Sequence, residues 1–233
     1  MLKVKSFLLF LCLVVGFQVL GQMDSVQVDS AIGSKKYFAQ LPPAEQEKTS
    51  EDFMKEAIVH FDGTRYHKSI ECLDQAIEIN EFTQLTSILY FYRAVSKSKL
   101  NNYTEAIDDY TQAIHHNPRK SKYIYHRGLA YFQTGAYENA RKDFETTLNM
   151  DGANADIYVK LGFLKQQDNE LKAAIDDYSK AIELNPKFAT PYYYRGLIYL
   201  QVLMPDKACN DLQKAMELGH PTAYRQYEKY CNQ

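Results

Sequence analysis

The sequence has no tryptophan and few cysteines, and its charges nearly balance. Four cysteines among 233 residues are too few and too scattered for a disulfide-held scaffold. Lys and Arg total 27 against 29 for Asp and Glu, so the chain lacks the basic excess that binds nucleic-acid phosphates. With 45% hydrophobic and 24% charged residues, the composition is that of a globular protein and excludes a disordered acidic tail, a collagen and a polytopic membrane protein.

The longest apolar run lies at the start of the chain. Lys3 and Lys5 precede the fourteen residues 7–20, a run shorter than the roughly 17–25 residues that cross a bilayer. We interpret residues 1–21 as a signal peptide and expect an exported protein, periplasmic or secreted, with no integral membrane span after cleavage. The alternative is an uncleaved segment that anchors the chain to a membrane.

The next stretch, residues 22–49, is polar and lacks a helical period. Such a segment buries too little apolar surface to offset the entropy lost on ordering, so we predict that it is partly disordered. At its end, Pro42-Pro43 favours the start of a helix, since proline is tolerated in a first turn.

A repeat of 34 residues occupies most of the remaining chain. The sequence AIDDY at 106–110 recurs at 174–178, two steps of 34 later, and Gly128, Gly162 and Gly196 also step by 34. Apolar residues at helical spacing predict two helices in each unit. A glycine inside a helix costs about 1 kcal/mol relative to alanine. We therefore predict that the second helix approaches closely at the three glycines, presenting alanines there and aromatic side chains beside them: Ala106, Ala140, Ala174 and Ala208, with Tyr110, Phe144 and Tyr178.

This pattern resembles the tetratricopeptide repeat family, whose unit carries an aromatic residue, Leu-Gly, Tyr, Ala, Phe, Ala and Pro at fixed offsets. The unit that begins at Ala155 departs from the family at Lys165 and matches it at Tyr158, Leu161, Gly162, Ala174, Tyr178, Ala181 and Pro186. The resemblance implies an all-α, right-handed superhelical solenoid of antiparallel helix pairs. It predicts five repeats and a C-terminal capping helix, at 50–86, 87–120, 121–154, 155–188, 189–220 and 221–233.

In this family the first helices of the repeats line a concave face. The matching positions predict an apolar, aromatic groove for a peptide or a partner helix, lined by Phe91, Val95, Tyr125, Leu129, Phe132, Val159, Phe163, Tyr193 and Leu197. The Lys, Asn and Arg set with which the chaperone-binding branch clamps a carboxylate is absent. The predicted function is a non-catalytic scaffold or adaptor that binds a protein or peptide.

Other interpretations of the same residues stay open. The groove residues pack on each other in one of them, and in another residues 22–49 cover them, with Tyr37, Phe38 and Leu41 as the plug. Two alternative functions are a self-associating structural module and an accessory factor of an envelope or secreted complex. The sequence does not predict the oligomeric state.

The sequence predicts no catalytic residue, metal ligand or cofactor. The six histidines do not form a metalloprotease pair, and no phosphate-binding glycine loop occurs. The adjacent carboxylates of Asp108-Asp109 and Asp176-Asp177 diverge by about 100° on a helix, which predicts a structural role on the solvent face. The mature chain would keep three cysteines, so at least one has no partner within the chain. A bridge between Cys209 and Cys231 would join the last repeat to the capping helix.

Overall fold

A computed structural model describes residues 43–79 and 85–232, and over these ranges the chain is all-α. The eleven helices described are α1 (Pro43–Asp62), α2 (Tyr66–Ile79), α3 (Thr86–Lys99), α4 (Tyr103–His116), α5 (Ser121–Gln133), α6 (Tyr137–Asp151), α7 (Ala155–Gln167), α8 (Leu171–Leu184), α9 (Ala189–Gln201), α10 (Pro205–Glu217) and α11 (Ala223–Cys231). The predicted signal peptide and the predicted plug residues Tyr37, Phe38 and Leu41 lie outside the described residues.

The helices divide between two compact units. Unit 1 ends at Leu100 and contains α1 to α3, and unit 2 begins at Asn101 and contains α4 to α11. In unit 1, α1 packs on α2 and α2 on α3. In unit 2 the pairs α5–α6, α7–α8 and α9–α10 pack most extensively, and α11 closes the series by packing on α10. The predicted all-α architecture of packed helix pairs with a C-terminal capping helix is confirmed.

Helix α1 begins at Pro43, where the proline pair favours a helix start. It is 20 residues long and so begins seven residues before the predicted start of the first repeat at Ser50. The buried Ser50 hydroxyl donates a hydrogen bond of 3.1 Å to the carbonyl oxygen of Ala76 on α2. Ala57 and Leu73 are almost fully buried where the two helices meet. Helix α1 is therefore fixed to α2 by both a hydrogen bond and apolar packing.

The three in-step glycines lie where a second helix approaches a first helix. A β-carbon on Gly162 would lie 2.9 Å from the ring of Tyr178, and one on Gly128 would lie 3.0 Å from the ring of Phe144. The predicted close approach is confirmed, but the expected facing group is wrong for these two glycines. The aromatic ring occupies the space above the glycine, while the alanines of the second helices are buried beside it.

Buried ion pairs connect the helices of unit 2. Arg127 on α5 holds Asp143 on α6 with two hydrogen bonds of 2.8 and 2.9 Å. It also donates a bond of 3.2 Å to the hydroxyl of Thr111 on α4. Each arginine of this kind therefore joins its own second helix to the second helix of the preceding pair.

The same arrangement recurs 68 residues later. Arg195 on α9 holds Asp211 on α10 at 2.8 and 2.9 Å and donates to Ser179 on α8 at 2.8 Å. In the intervening repeat Leu161 stands where arginine would fall, and Lys165 reaches Asp177 instead, at 2.7 Å. Burial raises the pKa of Asp177 above its usual range, although Lys165 opposes that shift.

These contacts correct the prediction for the aspartate pairs. Asp109 is only 4% exposed and Asp177 only 8%, so one member of each pair is buried rather than on the solvent face. Their neighbours Asp108 and Asp176 are exposed, as predicted. The predicted structural role is consistent with this burial, because a buried carboxylate needs a cation or hydrogen-bond donors.

A disulfide joins α10 to the capping helix. Cys209 and Cys231 form it, with 5.5 Å between their Cα atoms. The bridge that the sequence left open is therefore present, and Cys72 is a free thiol on α2. Among the described residues, none of the helices combines the length and the apolar character that crossing a membrane requires.

Candidate functional site

Half-buried aromatic side chains connect the first helices of the helix pairs in unit 2. We call this set the aromatic row; its members are Tyr125, Phe132, Phe163, Tyr193 and Tyr194. The ring centroids of Phe132 and Phe163 lie 5.4 Å apart, those of Phe163 and Tyr194 lie 6.1 Å apart, and those of Tyr194 and Tyr193 lie 5.4 Å apart. Tyr125 joins the row through the buried ring of Phe144, which is 6.2 Å from Tyr125 and 6.5 Å from Phe132.

The spacing of the sequence explains how the row forms. Phe132, Phe163 and Tyr194 are separated by steps of 31 residues, one helical turn less than the repeat of 34. Each ring therefore meets the ring one turn earlier on the next first helix. Tyr194 was absent from the predicted groove, which held its neighbour Tyr193. The 31-residue step was the signal that identifies Tyr194.

Polar groups at the row add directional contacts. The hydroxyl of Tyr125 donates a hydrogen bond of 2.6 Å to Asp156 on α7. Burial, together with that bond and the charge of Asp156, raises the pKa of Tyr125, so the hydroxyl stays protonated and remains a donor. The ammonium group of Lys160 lies 5.4 Å from the centroid of the Phe132 ring. The row is therefore an apolar surface that carries one carboxylate and one cation.

His220 lies at the C-terminal end of the row. Its ring stacks on Tyr193 with a centroid distance of 4.0 Å, and its Nδ1 lies 3.3 Å from the hydroxyl of Thr222. Burial lowers the pKa of His220 below its usual value. The neutral imidazole is therefore the form that the folded protein favours against Tyr193.

The structure places the nine predicted groove residues in three ways. Tyr125, Phe132, Phe163 and Tyr193 belong to the row, and Leu129 and Leu197 lie half-buried on the same first helices α5 and α9. Val159 on α7 is only 4% exposed and offers little surface to a ligand. Phe91 and Val95 belong to unit 1, where Phe91 is 5% exposed and Val95 is half-buried. The described surface of unit 2 also holds a cavity of about 550 Å³ at the α7–α8 turn, but its lining, which includes Asn169 and Asp176, shares no residue with the row.

The described helices and their contacts define a class of protein, a repeat protein built from helical hairpins. Its repeats are tetratricopeptide repeats. The family model "Tetratricopeptide repeat" matches residues 91–155, and the model "TPR repeat" matches residues 166–202. The resemblance that the sequence suggested is confirmed.

Curated relatives share part of this array. The chain is 26% identical over 106 residues to heat shock protein STI1 of Saccharomyces cerevisiae, covering 46% of this chain and 18% of that protein. It is 32% identical over 95 residues to the heat-shock protein cognate co-chaperone sgt12 of Aspergillus fumigatus, covering 41% of this chain and 28% of that protein. The chain therefore spans less than a third of the length of either relative.

Solved structures share the fold over a larger part of the chain. The crystal structure of MamA protein superposes with a TM-score of 0.66 at 19% identity and covers 76% of this chain and 95% of MamA. That of YrrB, described as a TPR protein with an unusual peptide-binding site, has a TM-score of 0.66 at 16% identity and covers 84% of this chain and all of YrrB. These likenesses show the fold, and the relatives together support a role in protein–protein interaction.

Proposed function

We propose that the chain is a non-catalytic scaffold that binds a peptide or a partner helix along the aromatic row of unit 2. One observation carries the proposal: five aromatic side chains remain half-exposed and connected on the first helices, although the protein buries other aromatics completely. Tyrosine and phenylalanine offer a large contact area with few rotatable bonds, so they lose little entropy when a partner orders them.

The chemistry of the row indicates what the partner offers. Apolar side chains would pack on Phe132 and Phe163, and an acidic group would pair with Lys160, which lies over the Phe132 ring. Asp156 already accepts the hydroxyl of Tyr125, so it is less available to a basic group. The ligand class is therefore an extended or helical peptide with apolar anchors and an acidic residue.

The carboxylates of unit 2 favour a binding role over catalysis. Asp143 and Asp211 are each held by two hydrogen bonds from an arginine and are buried, so neither is available to move a proton. The disulfide supports the proposal that the protein is exported, since such bonds persist in oxidising compartments. Fractionation of cells that produce the full chain tests this, with Gln22 as the expected first residue of the exported form.

A peptide display selection on the purified protein tests the groove. Selected peptides should contain apolar or aromatic anchors, and Phe163→Ala and Tyr193→Ala should each weaken their binding about tenfold or more. Tyr224→Ala is the matched control, because Tyr224 is a tyrosine on α11 that is 62% exposed and lies outside the row. Equal losses in the control and row variants, or no loss in the row variants, would contradict the proposal.

Two alternative occupants of the row give different results. If a second copy fills it, the molecular mass in solution falls on dilution and the row variants are monomeric. If the N-terminal segment fills it, deletion of residues 22–42 strengthens peptide binding. The deletion stops at residue 42 because α1 begins at Pro43.

A further inference from the structure

A group of three potential metal ligands lies in unit 1. Glu56 and His60 on α1 and Cys72 on α2 each place one donor atom so that all three atoms lie within 4.8 Å of one another. Glu56 and His60 are four residues apart, so they share one face of α1. The packing of α1 on α2 brings Cys72 to that face.

The His60 ring has nitrogen atoms available for a ligand. Its Nε2 lies 3.9 Å from a carboxylate oxygen of Glu56, which is too long for a hydrogen bond. Its Nδ1 is buried and has no hydrogen-bond partner among the described residues. A buried polar atom in that state needs an explanation, and a bound ion is one.

The donor set selects the kind of ion. A thiolate, an imidazole and a carboxylate together suit Zn²⁺, whereas Mg²⁺ and Ca²⁺ prefer oxygen ligands alone. Bonds of about 2.0–2.3 Å in a tetrahedral site place the donor atoms about 3.5 Å apart, so shifts of about 1 Å assemble the three ligands. The side chain of Glu56 is 59% exposed, which gives an ion a path from solvent.

We propose that Glu56, His60 and Cys72 bind one Zn²⁺ ion, with water as the fourth ligand. The ion joins α1 to α2 and adds its binding free energy to the stability of unit 1. It also gives a use to Cys72, the free cysteine among the described residues. The sequence did not predict this site, because no metal-binding motif spans the two helices.

Cobalt and zinc titrations of the full chain test the site. The protein is used with the Cys209–Cys231 disulfide intact and one free thiol per chain confirmed by a thiol assay. Co²⁺ should give a thiolate-to-metal charge-transfer band and the intense visible bands of a tetrahedral ion, and one equivalent of Zn²⁺ should displace it. Zinc should also raise the midpoint of thermal unfolding.

Variants identify the ligands. Cys72→Ser should abolish the charge-transfer band, and Glu56→Gln and His60→Gln should weaken Zn²⁺ binding about tenfold or more. His67→Gln is the matched control, because His67 is an exposed histidine on α2. Glu56→Gln alters an exposed side chain, so a fold maintained by circular dichroism makes its result decisive. A wild-type protein without the cobalt thiolate band, or zinc affinity unchanged by Glu56→Gln, would overturn the proposal.

Discussion

Replacement of Gly162 by alanine tests the close packing on which the helix pairs depend. The new β-carbon would lie 2.9 to 3.1 Å from three carbon atoms of the Tyr178 ring. That ring cannot move aside easily, because Tyr178 is fully buried, stacks on Tyr194 at 5.8 Å and donates its hydroxyl to Gln166 at 3.2 Å. The overlap must therefore be relieved by displacing the ring or by separating α7 from α8.

Two effects of opposite sign determine the magnitude. Overpacking a core costs about 1–3 kcal/mol, while Gly→Ala in a helix gains about 1 kcal/mol from propensity. We expect Gly162→Ala to lower the free energy of unfolding by about 1–2 kcal/mol. Gly196→Ala should cost less, since the nearest atom to its β-carbon is Leu212 Cγ at 3.2 Å.

Urea unfolding followed by circular dichroism measures both variants, together with a double-mutant cycle. In a Tyr178→Leu background, which imitates the Gly196–Leu212 pair, Gly162→Ala should become neutral or stabilising, with a coupling of about 1–3 kcal/mol. If Gly162→Ala instead stabilises the wild-type protein by about 1 kcal/mol, as it would in an exposed helix, the close-approach explanation is wrong.

Three further predictions concern the ion pairs, a strained turn and pH. Arg195→Ala leaves Asp211 buried without its cation and should cost about 3–5 kcal/mol in urea unfolding, whereas Lys214→Ala, which breaks an exposed pair with Glu217, should change stability by less than about 1 kcal/mol. Leu203 has a φ of 58° and is 87% exposed, at the turn position that Asn101, Gly135 and Asn169 occupy in other repeats; Leu203→Asn should therefore raise the unfolding midpoint, and a lower midpoint would contradict strain at this turn. Because burial lowers the pKa of His220, the unfolded chain binds that proton more readily; the free energy of unfolding should fall as the pH drops from 7 to 5, and His220→Gln should fall less steeply, an equal slope being the adverse result.

Repetition made the helix pairs predictable, and it also shows where prediction from one sequence stops. The 34-residue step of Gly128, Gly162 and Gly196 predicted a close contact correctly. Which side chain fills that contact was mistaken, because Ala174 and Tyr178 lie on the same face of α8 and only the rotation of the helix distinguishes them. A period in the sequence specifies a face, while the packing of two helices specifies an atom.

The buried aspartates were mispredicted for a different reason. A carboxylate is normally exposed unless a partner compensates its burial, and the partners of Asp143 and Asp211 lie 16 residues earlier, on another helix. The candidate metal ligands present the same difficulty, since Cys72 joins Glu56 and His60 only after α1 packs on α2. Within the row, Tyr194 was overlooked because the family pattern counts along one repeat, whereas the rings touch across repeats at a step of 31.

The aromatic residues of unit 2 divide into two groups with different physical roles. Phe144 and Tyr178 on the second helices are fully buried and fill the space above a glycine, so the packing of each pair depends on them. Phe163 and Tyr193 on the first helices stay half-exposed, and their contacts are mainly with other rings. Because rings of the second group contribute less buried area, their loss costs less stability. The fold can therefore maintain its helix pairs while the row varies, which is how one repeat architecture can present different surfaces to different partners.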